Sequence, residues 1–353
     1  MSTKIYTMTH KKFQPPESET YIPLHVGRAN SVDLGYLGDD TGDHISDLNC
    51  YYGELTGVYW LWRNLKSRDN IGICHYRRFF INEKQELLEE ADFERILSEY
   101  DVISSKAIYI DEPYMEYYGK AHNIEDLIKE GDVIKELFPE DYPAFEQVMY
   151  GEKHYFGNLM VMRRELFDDY CGWIFTIFAE LGKRIDVSTY DDYHKRIFGF
   201  LSEQLLLVWV TARGLKVYES RVGITEEKAE TRELKLAVGQ LIRGGQTAEA
   251  RQLFYDILKV RPDIRLEHSD LRGEIPVIEL LLYICEVERQ KELNGGMLAY
   301  SRELPELIGH LRRLADDLRK PQLTEEDRAY IEATQTSEIA LEVLRANLTM
   351  PGL

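Results

Sequence analysis

Three short apolar segments in the first part of the chain are each followed by polar and cationic side chains. The three sets are Thr9-His10-Lys11, His75-Tyr76-Arg77-Arg78 and Ser104-Ser105-Lys106. Ligands of an open parallel sheet bind beyond the carboxyl ends of its strands, and Arg holds phosphate oxygens through paired hydrogen bonds. The three sets therefore predict a site for a diphosphate. The alternative is that Arg77 and Arg78 pair with carboxylates of an acidic surface.

One carboxylate and two imidazoles are the candidates for acid–base chemistry. Glu203 lies in the apolar segment GFLSEQL, and burial against a cleft would suit it to act as a general base. His75 and His122 are rival bases. The alternative for Glu203 is a charge that the dipole of a helix N-terminus favours.

Aromatic residues crowd the segment that begins NCYYGELT. Asn49 and Glu54 are typical of residues that cap a helix or favour its dipole. Tyr59, Trp60 and Trp62 occupy more than one face of the predicted helix. Burial accounts for Trp62, and we expect the other two rings to stack on a base or a sugar.

Several signatures of other enzymes are missing from the sequence. It contains neither GxxxxGK[ST] nor GxGxxG, so neither a P-loop kinase nor an ordinary dinucleotide enzyme is supported. No Ser-His-Asp order and no His pair for a metal are evident. The four cysteines are scattered without metal-ligand spacing.

The apolar spacing predicts an α/β fold for residues 1–225. Strands are predicted at residues 4–8, 71–74, 101–105, 157–162 and 216–218, and helices at 55–62, 93–100, 165–183 and 198–212. This alternation is typical of a mostly parallel sheet with helices on both faces. Residues 13–44 show no sustained period and are expected to form a long loop. Residues 106–150 are expected to form helical insertions.

Residues 226–353 have a different composition. Aromatic residues become rare, and Leu, Ala, Glu and Arg recur at helical spacing. We therefore expect two domains, at 1–225 and 226–353, the second of them all-helical. The helices on either side of Gly244-Gly245 resemble one tetratricopeptide-type unit, but no second copy follows at a fixed period. A plain helical bundle is the prediction.

Charge and composition limit the partners and the location. The chain has 353 residues and a net charge of −19, which argues against nucleic acid as a partner. Its local Arg clusters still suit a small anionic ligand. No apolar run approaches the ~18 residues of a membrane span, and the N-terminus lacks the pattern of a secretory signal. Scattered free thiols indicate a cytoplasmic protein, with the inner face of the membrane as the alternative.

Six stretches of the sequence resemble one family, in the expected order. They are IYTMTHKKF, GDHISDLNCYYGELTGVYWLWRN, IGICHYRRFF, YDVI, FGNLMVMRRELFDDYC and YDDYHKRIFGFLSEQLLLVW, and they span about residues 4 to 220. The chain resembles the bacterial capsular and exopolysaccharide glycosyltransferases long catalogued as a domain of unknown function. The blocks NCYYGELTGVYWLWRN and CHYRRFF are specific to this resemblance.

The resemblance implies a GT-A-like, Rossmann-like fold and transfer of a sugar from a UDP-sugar to a glycan or lipid-linked acceptor. Some relatives are associated with galactofuranose transfer. The alternatives are a sugar-phosphate nucleotidyltransferase on the same sheet and a non-catalytic helical adaptor that binds a sugar nucleotide. Contact with a membrane surface or another protein, and the oligomeric state, stay open.

The strand ends and the resemblance together give a set of site residues. Donor binding is assigned to Thr9, His10, Lys11, Asn49, Glu54, Tyr59, Trp60 and Tyr76, catalysis to Glu203, His75, Arg77 and Arg78, and acceptor binding to His122 and Asn158. If the enzyme inverts the anomeric configuration, Glu203 deprotonates the acceptor hydroxyl. If it retains the configuration, Glu203 only positions the substrate.

The sequence departs from ordinary GT-A enzymes at one strand end. Those enzymes place a metal-binding Asp-x-Asp where this chain has His75-Tyr76-Arg77-Arg78. Hard cations such as Mg²⁺ prefer oxygen ligands, whereas this cluster supplies positive charge. No cofactor is therefore expected, although Asp39, Asp40 and Asp43 in the predicted loop leave Mg²⁺ or Mn²⁺ open.

Overall fold

A mixed sheet lies at the centre of the N-terminal part of the chain in the computed structural model, which describes residues 2–265, 269–293 and 296–353. The strands in chain order are β1 (Thr3–Thr9), β2 (Tyr21–His25), β3 (Leu37–Gly38), β4 (Asn70–His75), β5 (Arg78–Ile81), β6 (Val102–Ser105), β7 (Ile108–Tyr109), β8 (Lys153–His154), β9 (Met160–Met162) and β10 (Val217–Ile224). β7 and β8 pair separately from the sheet.

The pairing directions bring three strand ends to one edge of the sheet. β1 pairs in parallel with β2 and β4, and β6 pairs in parallel with β10. β9 runs antiparallel to both β4 and β6, because the chain reaches it from the inserted helices that follow β6. β4 and β6 therefore point the same way, and the carboxyl ends of β1, β4 and β6 lie at a common edge.

The prediction of a loop at residues 13–44 is wrong in part, since this segment contains β2 and β3. β2 includes Pro23, which has no N–H to donate and argues against a strand in the sequence. In the structure Pro23 is level with Thr7 of β1, and β3 pairs only with the two residues after it, Leu24 and His25. A short outer strand therefore tolerates the proline.

Helices cover both faces of the sheet. They are α1 (Asn49–Tyr52), α2 (Leu55–Asn64), α3 (Glu90–Leu97), α4 (Tyr114–Ala121), α5 (Ile124–Leu137), α6 (Tyr142–Met149), α7 (Arg164–Leu181) and α8 (Ile197–Ala212). Strand side chains alternate between the faces: Ile73 and Met160 join the larger core with α2, α7 and α8, and Ile103 and Val161 join the smaller core with α3.

The chain divides into two compact units, Met1–Gly223 and Ile224–Leu353. The second contains α9 (Ala229–Arg243), α10 (Thr247–Val260), α11 (Glu274–Gln290), α12 (Met297–Tyr300), α13 (Leu304–Arg319), α14 (Glu325–Ala333) and α15 (Glu338–Ala346), around an aliphatic core of its own. None of the helices in the described ranges has the length and apolar character needed to cross a bilayer.

Candidate functional site

The ends of β1 and β4 bring two of the three sets of polar residues together. Met8 is level with His75 in the parallel register, and the Tyr76 N–H donates to the Met8 carbonyl at 3.0 Å. The Tyr76 ring lies 5.5 Å from the His10 ring and 4.7 Å from Lys11 Nζ. We call this group the cationic rim: His10, Lys11, Tyr76, Arg77 and Arg78.

The third set, at the end of β6, forms hydrogen bonds within the chain. Ser104 Oγ and Ser105 Oγ donate to the carbonyls of Leu159 and Phe156, each at 3.4 Å. Both serines are buried. Their hydroxyls therefore hold the segment 156–159 at the same sheet edge as the cationic rim.

The backbone of this segment approaches the rim closely at Gly157. Its φ is +83°, in the region that favours glycine, and a Cβ at this position would collide with the Arg78 guanidinium. The Gly157 carbonyl accepts a hydrogen bond from His75 Nε2 at 2.6 Å. This contact places the imidazole proton on Nε2.

His75 and Glu54 are neighbours, and each alters the pKa of the other. Burial lowers the pKa of His75 to about 4, with the neighbouring Arg78 acting in the same direction and Glu54 acting against both. His75 therefore positions the 156–159 segment through its hydrogen bond to the Gly157 carbonyl.

A carboxylate network lies behind the rim. Asn158, in a left-handed conformation with φ +50°, donates through Nδ2 to Glu54 Oε1 at 2.7 Å and to Ser202 Oγ at 2.8 Å. Burial raises the pKa of Glu54, but His75, Arg196 and the Asn158 hydrogen bond together outweigh it, so the pKa lies below its usual value. Glu54 is therefore ionised, and we name Glu54, Asn158 and Ser202 the inner network.

Arg78 and Glu203 link the rim to α8. Burial lowers the pKa of Arg78, and the negative charges of Glu203 and, more weakly, Glu54 act against that shift. Glu203 is half-buried in the second turn of α8, not in the first turn, because the helix begins at Ile197. The charge of Glu203 thus acts on the guanidinium of Arg78 from α8.

Thr9 and Asn49 bond to neighbouring parts of the chain. Thr9 Oγ1 donates to the Lys11 carbonyl at 2.6 Å and forms the turn after β1. Asn49 Nδ2 donates to the Gly53 carbonyl at 2.6 Å and to Thr56 Oγ1 at 3.1 Å. Both side chains shape the site through the backbone that they hold.

Tyr59 and Trp60 hold the loop after β3. The Tyr59 hydroxyl donates to Asp43 Oδ1 at 3.1 Å, and Trp60 Nε1 donates to the Thr41 carbonyl at 2.9 Å. Trp60 is buried. These contacts place the polar atoms of both rings against residues 41–43 and not at the cationic rim.

The structure places His122 among other rings, apart from the inner network to which Asn158 belongs. Its ring centroid is 4.3 Å from that of Phe200 and 4.8 Å from that of Tyr118. His122 also lines a cavity of about 370 Å³. The two residues predicted for acceptor binding therefore lie in different surroundings.

The loop aspartates are bonded to other groups of the chain. Asp39 is buried and accepts two backbone N–H groups. Asp40 pairs with Arg28 at 3.6 Å, and Asp43 pairs with Arg63 at 2.7 Å. Carboxylates already bonded to donors and cations offer few oxygens to a hard metal ion.

Elsewhere in the described residues, carboxylates converge in the second unit. Glu227, Asp270 and Glu274 lie close enough to share a cation. Lys235 Nζ already donates to all three, at 2.5, 2.7 and 2.8 Å. The ammonium group occupies the centre of this cluster, which stabilises the helices around it.

Sequence reasoning missed Gly157, Ser202 and Arg196. Gly157 precedes Asn158, and such a Gly-Asn pair before a strand is a signal for unusual backbone conformation. Ser202 and Arg196 lie within a stretch that resembles the family, but no spacing relates them to Glu54, since the contacts cross about 100 residues or more of chain.

Next to this site, His154 couples stability to pH. It is fully buried, and burial lowers its pKa to about 4 from 6.5. The unfolded chain therefore binds more protons as the pH falls from 6.5 towards 4, and the folded state loses stability there. Between pH 7 and pH 5, we expect the unfolding free energy of His154→Gln to fall by about 2 kcal/mol less than that of the wild type. Denaturant titrations at both pH values measure it, and an equal loss in variant and wild type would refute it.

The fold and the site define an α/β protein with a cationic binding edge backed by an ionised carboxylate. The chain belongs to the family described as Domain of unknown function (DUF4422), whose model matches residues 4–214. The family predicted from the six stretches is thereby confirmed.

One solved structure is similar to this chain. It is the apo structure of the WbbM bifunctional glycosyltransferase, with 29% identity and a TM-score of 0.58 over 65% of this chain. The match covers 46% of the WbbM chain, so this protein corresponds to about half of it. No curated protein matches the sequence.

Proposed function

We propose that the protein is a glycosyltransferase that uses a UDP-sugar, with a glycan or lipid-linked acceptor in cell-surface polysaccharide synthesis. The observation that supports it most is the convergence of the cationic rim and the inner network at the carboxyl edge of the sheet. The likeness to WbbM at 29% identity favours the same class of reaction. Galactofuranose is the donor sugar that we propose to test first.

The rim supplies what a departing nucleoside diphosphate requires. Transfer breaks the bond between the anomeric carbon and a diphosphate oxygen, and negative charge accumulates on the leaving group. Arg77 and Arg78 donate charge-assisted hydrogen bonds to those oxygens. Since the loop aspartates are bonded to other groups of the chain, we assign charge neutralisation to the arginines and Lys11.

The carboxylates serve the other side of the reaction. Glu54, bonded to Asn158 at 2.7 Å, orients the donor sugar through its hydroxyls. Glu203 accepts the proton of the acceptor hydroxyl as that oxygen attacks the anomeric carbon. The arrangement thus suits an inverting transfer.

A donor panel tests the proposed function. The full chain is incubated with UDP-galactofuranose, UDP-galactose, UDP-glucose and UDP-N-acetylglucosamine, and free UDP and sugar are followed by mass spectrometry. We expect slow release of UDP from one donor, because water replaces the absent acceptor. Release of pyrophosphate from UTP and a sugar phosphate would instead indicate a nucleotidyltransferase, and binding without any turnover an adaptor.

Turnover should persist without a divalent metal. The strand end that carries Arg77 and Arg78 offsets the diphosphate charge, and Asp39, Asp40 and Asp43 are bonded elsewhere. We expect the rate of UDP release to change less than twofold in EDTA (about 0.4 kcal/mol). Loss of activity in EDTA and its recovery with Mg²⁺ or Mn²⁺ would redirect attention to the loop aspartates.

The N-terminal unit should bind UDP by itself. The rim and the inner network lie within Met1–Gly223, which has its own core. We expect a fragment that ends at Thr225 to bind UDP with the affinity of the full chain in a calorimetric titration. A folded fragment that fails to bind UDP would show that the helical unit completes the site.

A further inference from the structure

The cavity that His122 lines is at the start of α5. It has a volume of about 370 Å³ and is lined by His122, Asn123, Asp126, Thr189, Tyr190, Asp191, His194 and Ile197. This volume is at the lower end of the ~300–1,000 Å³ that ligand pockets occupy. It suits one ring-sized unit and not an extended chain.

Asp126 gives the pocket an acceptor without a partner. The residue is fully buried, and its Oδ2 accepts a hydrogen bond from the Tyr190 hydroxyl at 2.7 Å. Its Oδ1 has no hydrogen-bond partner among the described residues. Burial of such an oxygen is costly, so a ligand that donates a hydrogen bond to it gains affinity. Burial also raises the pKa of Asp126, with the Tyr190 hydrogen bond acting against that shift.

The two carboxyl groups of the wall disfavour an anionic ligand. Asp126 and Asp191 contribute two carboxyl groups, and a phosphate would meet like charge. His194 spans the wall, with Nδ1 2.8 Å from Asp191 Oδ2 and Nε2 3.0 Å from the Ala121 carbonyl. These bonds fix the wall before a ligand arrives. A neutral ligand rich in hydroxyl donors fits this lining.

The His122 ring of the pocket wall packs against Phe200, which in turn contacts Arg196. The His122 ring lies 4.3 Å from that of Phe200, and the Arg196 guanidinium lies 5.8 Å from the same phenyl ring. Arg196 in turn influences Glu54. Phe200 and Arg196 thus stand between the pocket and the inner network.

We propose that this pocket binds one neutral sugar ring of the acceptor glycan, with Asp126 Oδ1 accepting from a ring hydroxyl. The proposal rests on the proposed function, because only a transferase needs an acceptor subsite beside its donor edge. Asp126 is a binding residue here, and Ile197 with the rings of His122 and Tyr190 provides the apolar surface for the sugar face.

The test uses simple glycosides as probes. Saturation-transfer NMR is recorded on the full chain, in the presence of UDP, with the methyl glycosides of galactose, glucose, mannose and N-acetylglucosamine. We expect at least one glycoside to bind. Its affinity should fall about tenfold or more in Asp126→Asn, because the substitution removes a hydrogen bond to a charged group. Asp132→Asn, an exposed carboxylate on the same helix, is the matched control and should bind as wild type does.

A second variant tests the pocket independently, should Asp126→Asn fail to fold. Thr189 is exposed at the rim of the pocket, so Thr189→Trp should block the pocket without disturbing the core. The proposal is overturned if no glycoside binds the wild type or if both variants bind normally. A UDP titration on the same samples separates the two claims: glycoside binding without UDP binding contradicts the proposed function and leaves the saccharide pocket in place.

Discussion

Replacing Arg78 with Gln should lower kcat/KM for the UDP-sugar by about 10- to 150-fold, or ~1.5–3 kcal/mol, the contribution of hydrogen bonds to a charged group. Arg78 lies where the ends of β1 and β4 meet, and the Gly157 backbone leaves room for its guanidinium. The substitution keeps a polar side chain of similar reach but removes the charge. UDP release from the donor, measured at several donor concentrations, gives the constant.

Two further variants make this result specific to Arg78. Arg78→Lys keeps the charge but loses the paired hydrogen bonds, so its loss should be intermediate. Arg95→Gln removes an exposed arginine on α3 and should leave kcat/KM unchanged. An unchanged constant in Arg78→Gln, with the unfolding temperature of the wild type, would contradict the assignment.

Replacing Glu203 with Gln should lower kcat for transfer by about 10²- to 10⁴-fold, the usual effect of removing a general base. The amide has nearly the same shape, so UDP affinity should stay within about twofold (0.4 kcal/mol) of wild type. Glu203 is on α8, and its charge acts on Arg78 at the end of β4. Transfer to an added glycoside acceptor is followed by product mass spectrometry.

The control for Glu203 is Glu165→Gln, an exposed carboxylate in the first turn of α7, which should leave kcat unchanged. The anomeric configuration of the product is read by NMR from the same reaction. Normal kcat in Glu203→Gln, together with a product of retained configuration, would show that Glu203 only positions substrate.

Local patterns in the sequence were enough to predict the elements that carry the rim. The runs at residues 4–8 and 71–74 are apolar and bounded by polar residues, and they fall within β1 and β4. Placing His10 and Arg77 near one another needed only the rule that parallel strands share an edge. The change in composition near Glu226 falls within a few residues of the division at Gly223.

The contacts of the inner network could not be predicted in this way. Glu54 meets Asn158 across 104 residues and Ser202 lies 44 residues further on, and nothing in a single sequence relates such distant positions. The role of Trp60 was equally hidden, because burial and ligand stacking require the same residue type. Only the hydrogen bond to Thr41 distinguishes them.

For β2 the difficulty is the opposite, because a local sequence rule predicts a loop where the structure has a strand. Pro23 favours a loop in the sequence, but its missing N–H costs little where β3 does not reach it. Strand pairing is decided by neighbours distant in sequence, so a short outer strand is difficult to recognise from its own residues.

A calorimetric titration of the full chain with UDP, and in parallel with UMP, tests the central claim that the sheet edge binds a nucleoside diphosphate. Because we assign the second phosphate of UDP to the guanidinium of Arg78, we expect UDP to bind at least about tenfold more tightly than UMP. That difference should vanish in Arg78→Gln. Equal affinities of the wild type for the two nucleotides, or no binding of UDP, would contradict the assignment of the site.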